Sequence, residues 1–548
     1  MLDHGHLCSA LLEAHCSITG NRSILTNGMA SLVNATAALQ DEGPASNTIR
    51  ATLTIALVAA VIAWWAIAKS RYGLKNLPPG PRGLPIIGHF HLIGRLPHVS
   101  LQQLSANFGP LMSLRFGFVP VVVVSSPAMA REFLKTHDTA FADRPYKIAA
   151  NFIFYGQRSI SWSSYGDHFK KARKLCATEL FTARRVTSFT HIIRDELWKL
   201  SGELRAASAS GEVVKLRRCL RGLSFNLMTR ILMKKVYFGP GASTDESALQ
   251  EAKEFVNIID SVLTVGGAFA ITDFFPGTKW LDWTVPAAKA ASDKLDSFLT
   301  KVLDEQRPGE VPDFVALTKS YFDGPDQMKY TKALLVDMFL GGSETSSTVV
   351  EWAMAELLHY PKVIAKAQEE LERVVGRERM IEESDLPKLE YFNAVTKEVF
   401  RLHPPLTMMV PHTTAQNQKV AGYDIAKNSM IFVNVFAIGR DPSVWSNPLE
   451  FNPDRFMGTS FNVHGHDFEL LPFGSGKRGC PGLPLGLRNV QLVLSNLLHG
   501  FDWSYAGDIE KHQMTEAMAV VNFMEHPINV RVSARLEDAT YKTLSINT

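Results

Sequence analysis

One cysteine stands in surroundings that could hold a metal. The segment Phe473-Gly474-Ser475-Gly476-Lys477-Arg478-Gly479-Cys480-Pro481-Gly482 gathers four glycines and a proline around it, directly before a helical run. Glycine lets a backbone approach a ligand closely and take positive φ. A thiolate ligand needs backbone N–H groups aimed at its sulfur. The helix that starts after Cys480 adds a positive dipole end that favours the anion. Arg478 lies two residues before the cysteine and could meet an acidic group of a cofactor. A buried structural cysteine beside a Gly-rich turn is the alternative.

A second group is Gly341-Gly342-Ser343-Glu344-Thr345, inside the helical stretch Thr331–Leu358. Two mid-helix glycines cost roughly 1 kcal/mol each against alanine, so a local distortion that opens a groove is expected. Glu344 and Thr345 place an acid beside a hydroxyl, which proton delivery needs. A packing kink is the alternative. In a third group, Glu398 and Arg401 share a helix face. Glu370 and Arg373 have the same spacing and read as a solvated pair. What separates the two is context: Pro404-Pro405 ends the Glu398 helix, and Pro453-Asp454-Arg455-Phe456 follows.

Together these segments resemble the cytochrome P450 family. Phe473, Gly476, Arg478, Cys480 and Gly482 fill every fixed position of its haem-binding loop, Phe-x-x-Gly-x-Arg-x-Cys-x-Gly. Gly341–Thr345 is similar to its oxygen-activation motif, Ala/Gly-Gly-x-Asp/Glu-Thr. The resemblance implies a mainly α fold with minor β-sheets and haem b ligated by the Cys480 thiolate, which favours O–O cleavage. Phe473, Gly474, Arg478, Gly482, Arg173 and His412 would sit at the cofactor. Thr345 would steady dioxygen and Glu344 help to feed protons. Glu398, Arg401 and Arg455 would form a structural triad that braces the haem loop.

The implied reaction inserts one oxygen atom of dioxygen into a lipophilic small molecule, a phenolic, terpenoid or fatty acid. The other atom leaves as water. Electrons would come from NADPH through a separate diflavin reductase, received on a basic face that includes Lys477 and Arg478. Phe275-Pro276-Gly277 and Ala437-Ile438-Gly439-Arg440-Asp441-Pro442 look like plant microsomal members. There are departures. Phe169-Lys170-Lys171-Ala172-Arg173 stands where the family has Trp-Arg-x-x-Arg, and Phe169 lacks the indole N–H that meets a haem propionate. Arg173 and Lys170 remain as cations there. Two rivals stay open: dioxygen-independent rearrangement or dehydration on the same fold, which the intact Glu344-Thr345 pair argues against, and a non-catalytic haem carrier or sensor.

Strands are expected at Leu111–Phe116, Val121–Val124, Val420–Tyr423 and Met430–Val435. Helical stretches are expected at Ala172–Leu204, Ala248–Val265, Ala287–Gln306, Thr331–Leu358 and Leu485–Leu498. Residues 91–536 read as one catalytic domain, with a tail at 537–548. By the resemblance, Tyr146–Ile160, Val262–Phe275, a face of Thr331–Thr348 and Leu406–Val410 line the substrate pocket.

Ahead of the body, residues 51–68 carry no charge. Spanning a bilayer takes about 20 apolar residues, with about 17 tolerated. Lys69, Arg71, Lys75 and Arg82 follow, so the positive-inside rule places the body in the cytosol, anchored once in the endoplasmic reticulum membrane and in contact with lipid. Residues 1–50 would be lumenal or disordered; Asn21-Arg22-Ser23 and Asn34-Ala35-Thr36 are glycosylation acceptor patterns. Residues 69–90 form a basic, Pro-rich linker.

Composition removes other classes. A net charge of +3 over 548 residues, with no basic stripe, argues against nucleic acid. Five scattered cysteines without a Cys-x-x-Cys pair argue against a disulfide scaffold or a zinc clip.

Overall fold

The computed structural model describes residues 52, 75–238, 246–304, 314–322, 324–509, 512–517 and 519–542. Helices of twelve residues or more are numbered here as α1 (Pro97–Phe108), α2 (Asp167–Glu179), α3 (Thr190–Ser210), α4 (Leu216–Met233), α5 (Glu246–Gly267), α6 (Thr284–Asp304), α7 (Gln327–His359), α8 (Pro361–Val375), α9 (Glu390–Leu402) and α10 (Leu483–Gly500). The strands are β1 (Leu111–Phe116), β2 (Val119–Val124), β3 (Val214–Lys215), β4 (Gln418–Val420), β5 (Tyr423–Ile425), β6 (Met430–Val433), β7 (Phe501–Tyr505) and β8 (Asn529–Ala534).

Valine-rich β2 is buried on both faces, as a central strand must be. It pairs antiparallel with β1 and parallel with β6, in the register Val121↔Met430 to Val124↔Val433. The order β3-β8-β7 makes a second sheet. The strand expected at Val420–Tyr423 is instead the turn of a hairpin. Ala421 and Gly422 both take positive φ, +49° and +84°, the two-residue turn that matches strand twist, and β4 and β5 run out from it.

Helix α7 runs through the core, packed on α4 and α10. The stretch expected as Ala172–Leu204 is three helices. Thr182 ends the continuity by capping a short helix, its Oγ1 accepting from Arg185 N at 3.2 Å. Helix α4 was not anticipated: residues 224–229 are all buried, so no amphipathic period marks them. Residues from Pro79 onward already pack on the body, Ser113 N donating to Pro79 O at 2.8 Å and His89 N to Arg115 O at 2.8 Å. Packing also reaches past Leu536, since Tyr541 is buried.

Among the described residues no helix is long and apolar enough to cross a membrane. The expected tail 1–50 and the expected span 51–68, apart from Thr52, lie outside the described residues.

Candidate active site

The loop before α10 is shaped by its glycines. Gly474 and Gly476 both take φ of +67°, and a Cβ on Gly476 would run into the Leu134 carbonyl. Cys480 N donates to Phe473 O at 2.8 Å, and Asp138 accepts from Lys477 N at 3.0 Å. Cys480 sits deep in the protein and borders an internal cavity. Burial pushes its thiol up, while N–H groups of Gly482 and Leu483 and the charge of Arg173 pull it down. Those groups favour a thiolate.

That cavity, about 520 Å³, is also lined by Gly341, Thr345, Arg144, Arg173 and Arg478. Helix α7 passes it without the expected break; its α-helical pattern is continuous through Gly341-Gly342. The space comes from the missing side chain: a Cβ on Gly341 would meet nothing within 4 Å, whereas one on Gly342 would strike Met228. Thr345 borders the cavity and its Oγ1 donates to Gly341 O at 2.6 Å. Glu344 faces elsewhere. Fully buried, it accepts from Arg221 at 2.7 and 3.0 Å through Oε1, and its Oε2 has no partner. Arg221 also reaches the half-exposed Asp260 at 2.5 Å. Burial raises the Glu344 carboxyl above its ordinary value, against the pull of Arg221.

Three buried or half-buried arginines converge on the same cavity. Arg478 donates to the carbonyls of Ala142 at 2.6 Å, Ile160 at 2.9 Å and Ser163. Its guanidinium lies 4.0 Å over the Phe169 ring. Arg144 donates to Ser161 O at 2.8 Å, Val410 O at 2.7 Å and Pro411 O at 3.0 Å. Among the described residues, none of the three arginines has a carboxylate within ion-pair reach, and the Arg173 guanidinium has no hydrogen-bond partner at all. Burial depresses all three, Arg478 to about 10. Cations kept from water without an anion are costly, so this wall calls for an anionic ligand. A thiol donor and an excess of cations around one roomy cavity fit haem b with its two carboxylates.

His412 borders the cavity too. Burial and Arg144 hold it well below the usual histidine value, so the ring is neutral. Its Nδ1 is 2.8 Å from Phe141 O, and a carbonyl can only accept, so Nδ1 carries the proton and Nε2 is an acceptor.

A family model described as Cytochrome P450 matches residues 78–532. The chain belongs to the cytochrome P450 family. It is 38% identical over 491 residues to a flavonoid 3'-monooxygenase of Petunia hybrida, covering 86% of this chain and 95% of that one. A flavonoid 3'-monooxygenase of Arabidopsis thaliana is 36% identical over 516 residues, 90% and 99% of the two chains. A zebra fish cytochrome P450 solved with progesterone aligns with a TM-score of 0.68 at 26% identity, over 80% of this chain and all of that one. This P450 is accordingly a haem-thiolate monooxygenase acting on lipophilic substrates, with haem b as cofactor and dioxygen and NADPH-derived electrons delivered by a redox partner.

The structure brings the expected triad together. Arg401 makes two bonds of 2.7 Å to Glu398, and Arg455 Nε one of 2.9 Å, all buried. The Phe400 ring of α9 lies 5.3 Å from that of Phe473 in the P450 loop. Two expectations need correction. Glu370 does pair with the exposed Arg373, at 3.9 Å, but it is not solvated: it is buried and accepts from Tyr391 N and Phe392 N at 2.9 and 2.8 Å, capping the first turn of α9. Arg478 is turned inward and is no part of an exposed basic face, while Lys477 is half-buried against Asp138. The four expected pocket segments all contribute to the cavity wall. Unanticipated are Arg144, Asp337, Trp162 and Ala519–Val521. No local residue pattern marks them, because each meets the cavity only through the folded chain.

Proposed function

We propose that Cys480 ligates the haem iron, that Arg144, Arg173 and Arg478 hold the haem carboxylates with His412, Phe473, Gly474 and Gly482 packed at the ring, and that Thr345 and Glu344 divide proton delivery between them. Bound there, the haem supplies the one-electron chemistry that activates dioxygen. The rest is this chain's work. Thr345 Oγ1 now gives its hydrogen to Gly341 O, so it presents lone pairs to the cavity; rotation about χ1 turns the hydrogen inward. Glu344 Oε2, buried and without a partner, is where a proton is held, favoured there by burial. Arg221, a permanent cation tied also to Asp260, holds that carboxyl on the solvent-facing side of α7. Glu398, Arg401 and Arg455 brace the loop and touch nothing that reacts.

The observation that carries this reading is that Thr345 and Cys480 border one cavity, while Glu344 is tied to a pair that reaches the surface. Thr345→Ala should keep haem and NADPH oxidation but divert much of the flux to hydrogen peroxide. Glu344→Gln should slow turnover. Unchanged product per NADPH in Thr345→Ala would contradict the assignment. Among lipophilic classes a phenolic is favoured, because relatives are named flavonoid monooxygenases.

The uncharged run 51–68 and the basic flank after it support a single anchor in the endoplasmic reticulum membrane. On that reading residues 1–50 are lumenal, the basic stretch between the span and Pro79 links, and the body from Pro79 to Lys542 is the cytosolic domain beside a diflavin reductase. Protease added to intact microsomes should digest the body.

A further inference from the structure

The cavity carries a neutral donor that the chemistry above leaves unused. Trp162 lines it and is half-buried. Its backbone is fixed on both sides: N donates to Ser159 Oγ at 3.2 Å and O accepts from Gln157 Nε2 at 3.2 Å. The flanking carbonyls of Ser161 and Ser163 are held by Arg144 and Arg478. Asp337 on α7 accepts from Ile160 N at 2.6 Å and Ser161 N at 3.2 Å. Yet among the described residues the indole N–H has no hydrogen-bond partner. A tryptophan N–H usually finds a partner once it is covered, as a ligand in this cavity would cover it. The surrounding wall is apolar, with Ile153, Phe154, Met338 and Val349.

We infer that Trp162 donates its indole N–H to an acceptor oxygen of the substrate, and that the substrate is an aromatic ketone with a ring able to lie against the indole. A haem carboxylate is the weaker claimant, because three arginines already face two carboxylates and an anion prefers charged donors. The inference rests on the monooxygenase reading and narrows it to a substrate class. A site built to hydrogen-bond one substrate atom discriminates strongly against the analogue that lacks it.

The test uses full-length holoenzyme, wild type and Trp162→Phe, with flavanone and flavan as probes, which differ only by the ring carbonyl. Dissociation constants come from titration of the Soret band. Wild type should bind flavanone about tenfold tighter than flavan, a difference near 1.4 kcal/mol. Trp162→Phe should bring the ratio to about one and leave haem content unchanged. A ratio that survives in Trp162→Phe overturns the inference, as does a wild type that shows no preference or binds neither probe. Haem loss in Trp162→Phe overturns it too, since it would place the N–H on the cofactor. A wild-type holoenzyme without a thiolate-type carbon monoxide band is a different failure, that of the monooxygenase reading itself.

Discussion

Two walls of the same cavity are built on opposite principles. The wall at residues 473–482 is assembled from neighbours in sequence: glycines with positive φ, a cysteine, and the first N–H groups of α10. The wall at residues 142–163 is assembled from strangers. Arg478, 318 residues from Ile160, supplies its donors, and Asp337 on α7, 177 residues away, supplies its acceptors. The first wall holds a ligand atom through backbone geometry, and backbone geometry leaves a mark in residue type. The second holds charge through side chains that meet only in the folded chain. Arg478 belongs to the first wall by position and to the second by its bonds, so it joins the two.

The largest effect is expected where the local wall is braced. Glu398 is fully buried between Arg401 and Arg455. Glu398→Gln leaves two buried cations short of a counter-charge and should cost about 3–5 kcal/mol, read from the urea midpoint. A cost below about 1 kcal/mol would mean that the brace is dispensable.

Next comes Asp337, which anchors the assembled wall. Burial raises its carboxyl to about 6 from an ordinary 3.8. The folded state thus holds this proton more tightly than the unfolded chain. The contribution to stability is complete below about pH 4 and is lost as pH rises through about 6, a swing of roughly 3 kcal/mol. Asp337→Asn should remove that slope, so the stability of the variant relative to wild type should climb across this window and level off above it. A difference that is flat with pH would show that Asp337 is ionised throughout.

Gly476→Ala attacks the local wall from within. Positive φ and the Leu134 carbonyl oppose any Cβ there, at about 1–3 kcal/mol, seen as a lower melting temperature and weaker haem retention. The smallest expected effect is that of Ser161→Ala. It deletes one hydroxyl donor to Asp337 and should cost about 1 kcal/mol while leaving the thiolate loop untouched.

This contrast also governs what could be read from the chain. The Cys480 loop was legible because it rests on residue type at short spacing, whereas Arg455, 57 residues from Glu398, joined the triad only through the family resemblance. Strand β1 was legible with its bounds, since its hydrophobic alternation meets a buried face. Helix α4 was not, because burial on all sides erases its period. The Glu370–Arg373 pair is present, but the burial of Glu370 was not legible, because its shorter bonds come from backbone N–H groups, which no residue type betrays. The Glu344–Thr345 pair was legible as a motif but not as geometry. Adjacent helix positions point about 100° apart, so one side chain meets the cavity and the other meets Arg221.

The central claim is that the Cys480 sulfur, set at the cavity by its loop, is the axial ligand of the haem iron. The most direct test is the absorption spectrum of the reduced carbon monoxide complex in wild type and Cys480→Ser, at matched haem content. The account predicts the red-shifted Soret band of a thiolate ligand in wild type and its loss in Cys480→Ser. Survival of that band in Cys480→Ser would contradict it.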